Sequence, residues 1–155
     1  MAQGTPVALI AVGFVAFFAL LWCFVLWVVS WVGGWRRLVD RFGAPFEFGG
    51  DVVAFVSARI GIANYSGMLI VGANDEGLYL VPIRIYRLFH RPLFIPWPET
   101  AASVRGRARW PRVRLTFPAL PGRRILLYGC SAKHCLPYLR RHFDLDASEI
   151  QASQP

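Results

Sequence analysis

No charged side chain occurs before Arg36, and the chain has a single lysine, Lys133, beside sixteen arginines. The first absence leaves residues 7–32 free of the groups that make immersion in hydrocarbon costly. The second makes the basic balance, a net charge of +8, almost wholly one of arginine. Such a balance fits nucleic acid, an anionic membrane surface or an arginine-biased proteome. Cysteine is scarce: Cys23, Cys130 and Cys135 are too few and too scattered for a disulfide framework. No glycine loop of the phosphate-binding kind follows a strand and opens a helix. Gly4 and Gly13 do not have the spacing of a small-residue helix-pairing motif. Disorder is also excluded, since aromatic and β-branched residues continue to about residue 143.

What is there first is a long apolar run, VALIAVGFVAFFALLWCFVLWVVSWV. As a helix it is about 39 Å long, against a hydrocarbon core of roughly 30 Å. A transmembrane helix is expected over residues 7–33, after an outer tail of residues 1–6. A buried core helix is the bland alternative, but the roughly 110 remaining residues make one small domain and cannot wrap it. A cleaved signal peptide would have a basic lead, a shorter apolar stretch and small residues at its end. Here Trp27, Val28, Val29, Trp31, Val32 and Trp35 crowd that end. Trp31 and Trp35 suit an interfacial aromatic belt, with Trp22 and Trp27 deeper. Cys23 reads as an inert apolar residue. Arg36, Arg37 and Arg41 follow the span against Asp40 alone, so the positive-inside rule places the amino terminus outside and the rest in the cytoplasm.

Gly33 and Gly34 punctuate the end of the run. Trp35, Leu38, Val39 and Phe42 then recur at helical spacing, with Arg36, Arg37, Asp40 and Arg41 between them. Residues 34–47 are therefore expected to be an amphipathic connector whose stripe lies in the headgroup region, or a plain continuation of the span. Beyond it, short runs broken by turns predict strands at 52–60, 67–71, 78–83, 93–97, 102–107, 113–117 and 124–128. Residues 62–67 read as a turn. Leu136, Leu139 and Phe143 predict a closing helix that starts near Leu136, because Pro137 is tolerated only in a first turn. Residues 144–155 read as a flexible tail.

The fold class expected is thus an N-terminal transmembrane helix plus an all-β barrel or sandwich of about seven short strands, closed by a C-terminal helix. Gly72-Ala73-Asn74-Asp75-Glu76-Gly77-Leu78-Tyr79-Leu80, then Leu93-Phe94-Ile95-Pro96-Trp97-Pro98-Glu99 and Val104, carry a resemblance. The stretch 48–143 resembles bacterial pleckstrin-homology-like and GRAM-like domains, in small single-span bacterial membrane proteins. The resemblance implies a PH-like binding or scaffold module rather than an enzyme. Members that bind phosphoinositides gather basic residues around the first strand and the loop after it, where this chain has only Arg59 before Gly67.

Chemistry-bearing clusters are few. Cys130, His134 and Cys135 match no common zinc spacing, and adjacent helical residues such as His134 and Cys135 point apart. Asp75 and Glu76 sit in a glycine-bounded turn, and Glu99 beside Trp97 reads as structural. The arginines are the best surface feature: Arg105, Arg107 and Arg109 alternate, as do Arg112 and Arg114, so each run shares one strand face. The expectation is a noncatalytic interaction or scaffold module at the inner (plasma) membrane, with no cofactor, metal or small-molecule substrate. Trp35, Arg36, Arg37, Arg41, Arg105, Arg107, Arg112 and Arg114 are the expected contacts with the lipid bilayer, or with a protein partner or membrane subunit. Nucleic acid is disfavoured, because no recognition helix or paired RNA-binding aromatics are evident. The alternative is a small membrane-bound enzyme or metal-binding protein using Cys130, His134 and Cys135.

Overall fold

The structure is a computed structural model that describes residues 4–44, 48–106 and 109–143. Its first element is helix α1, Gly4–Val32, with no charged side chain in either end turn. Within it Pro6–Val32 is long and apolar enough to cross a membrane. Among its described residues only Leu26 and Ser30 are buried; Val28 and Val29 are half-buried, and its other large apolar side chains stand exposed. That is the opposite of a core helix, whose apolar face meets protein.

Helix α2, Trp35–Phe42, follows after two glycines. Gly34 has φ +80°, a left-handed conformation that costs glycine nothing and other residues more, and a Cβ there would meet the Arg123 guanidinium at 2.5 Å. The stripe predicted for α2 exists, but it does not face lipid. Trp35, Leu38 and Phe42 are buried in the domain's main core, while Arg36, Arg37 and Arg41 remain exposed. The stretch 34–47, expected as a connector, therefore contributes Trp35, Leu38 and Phe42 to the core of the domain. An eight-residue stripe that can reach a β core is covered more completely there than at a wet headgroup boundary.

Seven antiparallel strands follow: β1 Val52–Ile60, β2 Ala63–Ala73, β3 Gly77–Pro82, β4 Leu93–Pro96, β5 Ala101–Arg105, β6 Arg112–Thr116 and β7 Arg124–Tyr128. They form one curled sheet, a half-barrel, in the order β4-β3-β2-β1-β7-β6-β5. Two meanders, β1 to β4 and β5 to β7, are joined by the β1–β7 pairing. The edge strands β4 and β5 are consecutive in sequence, linked by a 3-10 turn, Trp97–Glu99. Irregular pairing in β1 around Val56 bends the sheet, and Phe55, at φ 55°, is turned outward there. Residues 62–67, expected as a turn, are mostly strand: β2 starts at Ala63 and pairs with β1 through Ile60↔Ala63. The tight turn is only Gly61-Ile62, because Gly61 supplies the positive φ that a short reversal needs.

Helix α3, Cys130–His142, packs on β1, β2 and β7. It starts six residues earlier than Pro137 suggested. Pro137 lies inside it and lacks an amide donor, but Ala132, Cys135 and Leu139 are fully buried around it and hold the axis. Leu136 and Phe143 are half-buried against the same core. Ser131 does not cap α3; its Oγ donates to the carbonyls of Ser57 and Tyr128, each at 3.0 Å. The stretch that carried the family resemblance forms one packed corner. Asn74 Oδ1 accepts from the amides of Glu76 and Gly77, and Trp97 Nε1 donates to the Asn74 carbonyl at 2.8 Å.

Candidate functional site

The strand arginines converge through pairing. Residues directly opposite on antiparallel strands point to the same face. Arg59↔Leu126, Leu126↔Arg114 and Arg114↔Ser103 form one row across β1, β7, β6 and β5. Tyr128↔Arg112 and Arg112↔Arg105 form the next. Val113, Leu115, Ile125 and Leu127 alternate inward and are fully buried. The outer face thus carries Arg59, Arg105, Arg112, Arg114 and Arg124, all exposed. None of the five side chains makes a hydrogen bond or ion pair with another described residue. Like charges directly opposite, as Arg105 and Arg112 are, destabilise a sheet, so stability does not account for this arrangement.

A cleft of about 670 Å³ opens on this face. Arg59, Arg112, Asn64 and Tyr128 give it polar walls, and Ile62 and Trp110 give it an apolar rim. Tyr128 Oη donates to Asn64 Oδ1 within it. A smaller groove of about 150 Å³ continues past Arg59 to Arg114 and Arg124. The site can hold an anion by charge, and an apolar or aromatic group against Trp110.

The other expected contacts scatter. Arg107 lies outside the described residues. Arg41 is engaged within the domain, donating from Nε and Nη2 to Glu99 Oε2 at 3.1 and 2.9 Å. Arg36 stacks over the Trp31 ring at 5.6 Å. Trp35, expected at the lipid, has no exposed surface to meet it. Its indole packs on Tyr65 and His90. Tyr65 Oη and His90 Nε2 share a buried hydrogen bond of 3.1 Å, while His90 Nδ1 has none of acceptable geometry. Burial holds the His90 imidazole below its ordinary range, opposed by the nearby Tyr86 backbone, and raises the Tyr65 phenol.

Of the cysteine–histidine cluster, Cys130 is exposed and Cys135 is buried, its thiol pushed up to about 12 by desolvation. Such a thiol supplies little thiolate for nucleophilic attack. The His134 ring meets the Asp51 carbonyl at 3.0 Å. Among the described residues no three His, Cys, Asp or Glu side chains stand together as a metal site.

Sequence reasoning placed Arg124 with the strand arginines but missed Arg59, whose strand is far from theirs in the chain, and it missed the whole 3-10 segment Arg84–Phe89. That segment lies along α1, with the Tyr86 ring 5.6 Å from the Trp22 ring and Ser30 Oγ donating to the Phe89 carbonyl at 3.0 Å. On it Ile85 and Leu88 are 62% and 67% exposed. No family model matches the chain, and no curated protein or solved structure matches it.

Proposed function

We propose that this protein is a membrane-tethered, noncatalytic interaction module with a PH-like domain. α1 crosses the inner membrane once, with the amino terminus outside and the domain in the cytoplasm. The basic outer face of β1, β5, β6 and β7 meets anionic lipid, or a protein partner that presents acidic groups at the same surface. The observation that carries this reading is the pairing of an apolar, almost uncovered helix with five strand arginines that have no acidic partner among the described residues. All 17 basic side chains lie in residues 34–143, against 6 acidic ones there. Each arginine held near an anionic leaflet contributes about 1 kcal/mol, within a Debye length of roughly 8–10 Å.

Two measurements test it on the full chain. A reporter fused after Pro155 should be active only in the cytoplasm, and periplasmic activity reverses the orientation. For the basic face, a fluorophore at Ser103→Cys in a Cys130→Ser background is read by energy transfer to headgroup-labelled lipid in reconstituted vesicles. Transfer should be higher in anionic than in neutral vesicles, fall at high salt and fall in Arg112→Gln/Arg114→Gln. Equal transfer under all these conditions would remove the lipid role, and a stoichiometric protein co-purifying from mild detergent would then assign the face to that partner.

A further inference from the structure

A second cleft lies at the elbow between α1 and α2, remote from the strand arginines. It holds about 360 Å³ and is lined by Trp27, Trp31, Leu88, Phe89, Arg36 and Arg91, with Asp40 at the same rim. Both of its ends are pinned. Ser30 Oγ donates to the Phe89 carbonyl at 3.0 Å, and Trp35 Nε1 donates to the Arg91 carbonyl at 3.0 Å. The cleft is therefore built into the fold, not left by a loose loop.

Its depth follows from helix geometry. Pro6–Val32 has 27 residues, about 40 Å of helix, while the hydrocarbon core is roughly 30 Å. Trp22 lies about 15 Å before the end of α1. Even if the entire excess of about 10 Å stands on the domain side, the level of Trp22 is inside hydrocarbon. Helical side chains lean toward the amino terminus, which carries the Trp22 ring deeper still. The 3-10 segment reaches that ring through Tyr86, so its exposed Ile85 and Leu88 face the leaflet beside α1, while the exposed Arg84 and Arg87 of the same turn extend their charged ends toward the headgroups. Arg36 and Arg91 then stand at headgroup level, over apolar walls that continue the surface of the helix. Two guanidiniums and the one carboxylate of Asp40 leave a single positive charge, which matches a singly charged phosphodiester.

We infer that this elbow binds one anionic phospholipid, its phosphodiester between Arg36 and Arg91 and an acyl chain along Trp27, Trp31 and Leu88. This rests on the proposed membrane crossing. The full chain, delipidated in detergent, is titrated with phosphatidylglycerol and with phosphatidylcholine of the same acyl chains, and bound lipid is counted by native mass spectrometry. One phosphatidylglycerol per chain should be retained, about tenfold more tightly than phosphatidylcholine. Arg36→Gln/Arg91→Gln should abolish that preference, Leu88→Asp should weaken both lipids, and Arg112→Gln/Arg114→Gln should change neither. Equal retention of the two lipids overturns the site, as does loss in the strand variant with the elbow variant intact. Displacement of the lipid by millimolar inorganic phosphate also overturns it, assigning the arginines to a free anion. Alkaline extraction of the chain from vesicles separates the two readings. An extracted chain sinks the crossing and the site together, whereas a chain that resists extraction yet holds no phosphatidylglycerol sinks the site alone.

Discussion

Trp35 Nε1 donates to the carbonyl of Arg91, 56 residues away, at 3.0 Å. The first residue of α2 is thereby tied to the strand entry after the 3-10 segment, while its ring closes over Tyr65 and His90. A tryptophan whose sequence position suggests a membrane interface instead locks the end of the domain next to α1.

Trp35→Ala should destabilise the domain by about 3–5 kcal/mol, the usual loss for a large buried aromatic. Trp35→Phe keeps most of the packing and leaves the Arg91 carbonyl without its donor, at a cost of about 1–3 kcal/mol. Trp31→Ala, at a 58% exposed position, should shift stability by less than about 1 kcal/mol. Denaturant titration of the full chain in mild detergent measures all three. Similar effects for Trp31 and Trp35 would contradict the burial of α2.

A soluble fragment starting at residue 34 should fold, and one starting at residue 48 should not fold stably. The shorter piece loses Trp35, Leu38 and Phe42 from the core, each contributing about 1.5–3 kcal/mol. A total of that size approaches the whole stability of a small domain. Equal melting temperatures for the two fragments would show that α2 is an accessory.

Stability should have an acid limb from His90 and an alkaline limb from Tyr65. An unfolded chain protonates His90 near pH 6.5, but burial keeps the folded ring neutral to lower pH. Below about pH 6.5 the unfolded state binds more protons, so stability falls as pH drops. The Tyr65 phenol is raised above its ordinary 10.0. Above about pH 10 the unfolded chain loses that proton first, so stability falls again as pH rises. His90→Gln should flatten the first limb and Tyr65→Phe the second, in unfolding titrations across pH. An unchanged acid limb in His90→Gln would assign that limb to other groups.

Helix α3 offers a contrast of its own. Leu139→Ala should cost about 2–5 kcal/mol, whereas Arg140→Ala, exposed on the other side of the helix, should fall within about 0.5 kcal/mol. Native alkylation at neutral pH should modify Cys130 and spare Cys135, whose thiol is buried and raised to about 12. Rapid loss of both thiols would mean that α3 opens from the sheet.

Local signals carried much of this architecture. β1 and β7 have the bounds that apolar runs and turn residues predicted, and β3 to β6 differ by a residue or two. Strand alternation is a nearest-neighbour property, so Arg112 and Arg114 could be put on one face from sequence alone. α3 was misjudged because Pro137 has a known local cost, whereas the burial of Ala132, Cys135 and Leu139 that outweighs it is nonlocal. The 3-10 segment Arg84–Phe89 has no period of its own, and only its packing against α1 makes its exposed leucine and isoleucine meaningful.

The sequence by itself determined an apolar helix long enough to span a bilayer, an arginine-rich remainder and a run of short strands ended by a helix. These are properties of composition and of repeats within about a dozen residues. Tertiary structure alone decided what each apolar stripe meets. It turned α2 from an expected lipid-facing connector into part of the core, set Arg59 in a row with Arg114, and placed Arg91 on the same cleft as Arg36. The physical reason is that hydrophobic burial has no direction of its own. A stripe of Trp35, Leu38 and Phe42 is satisfied by lipid or by protein alike, and only the sheet that curls to receive it settles which.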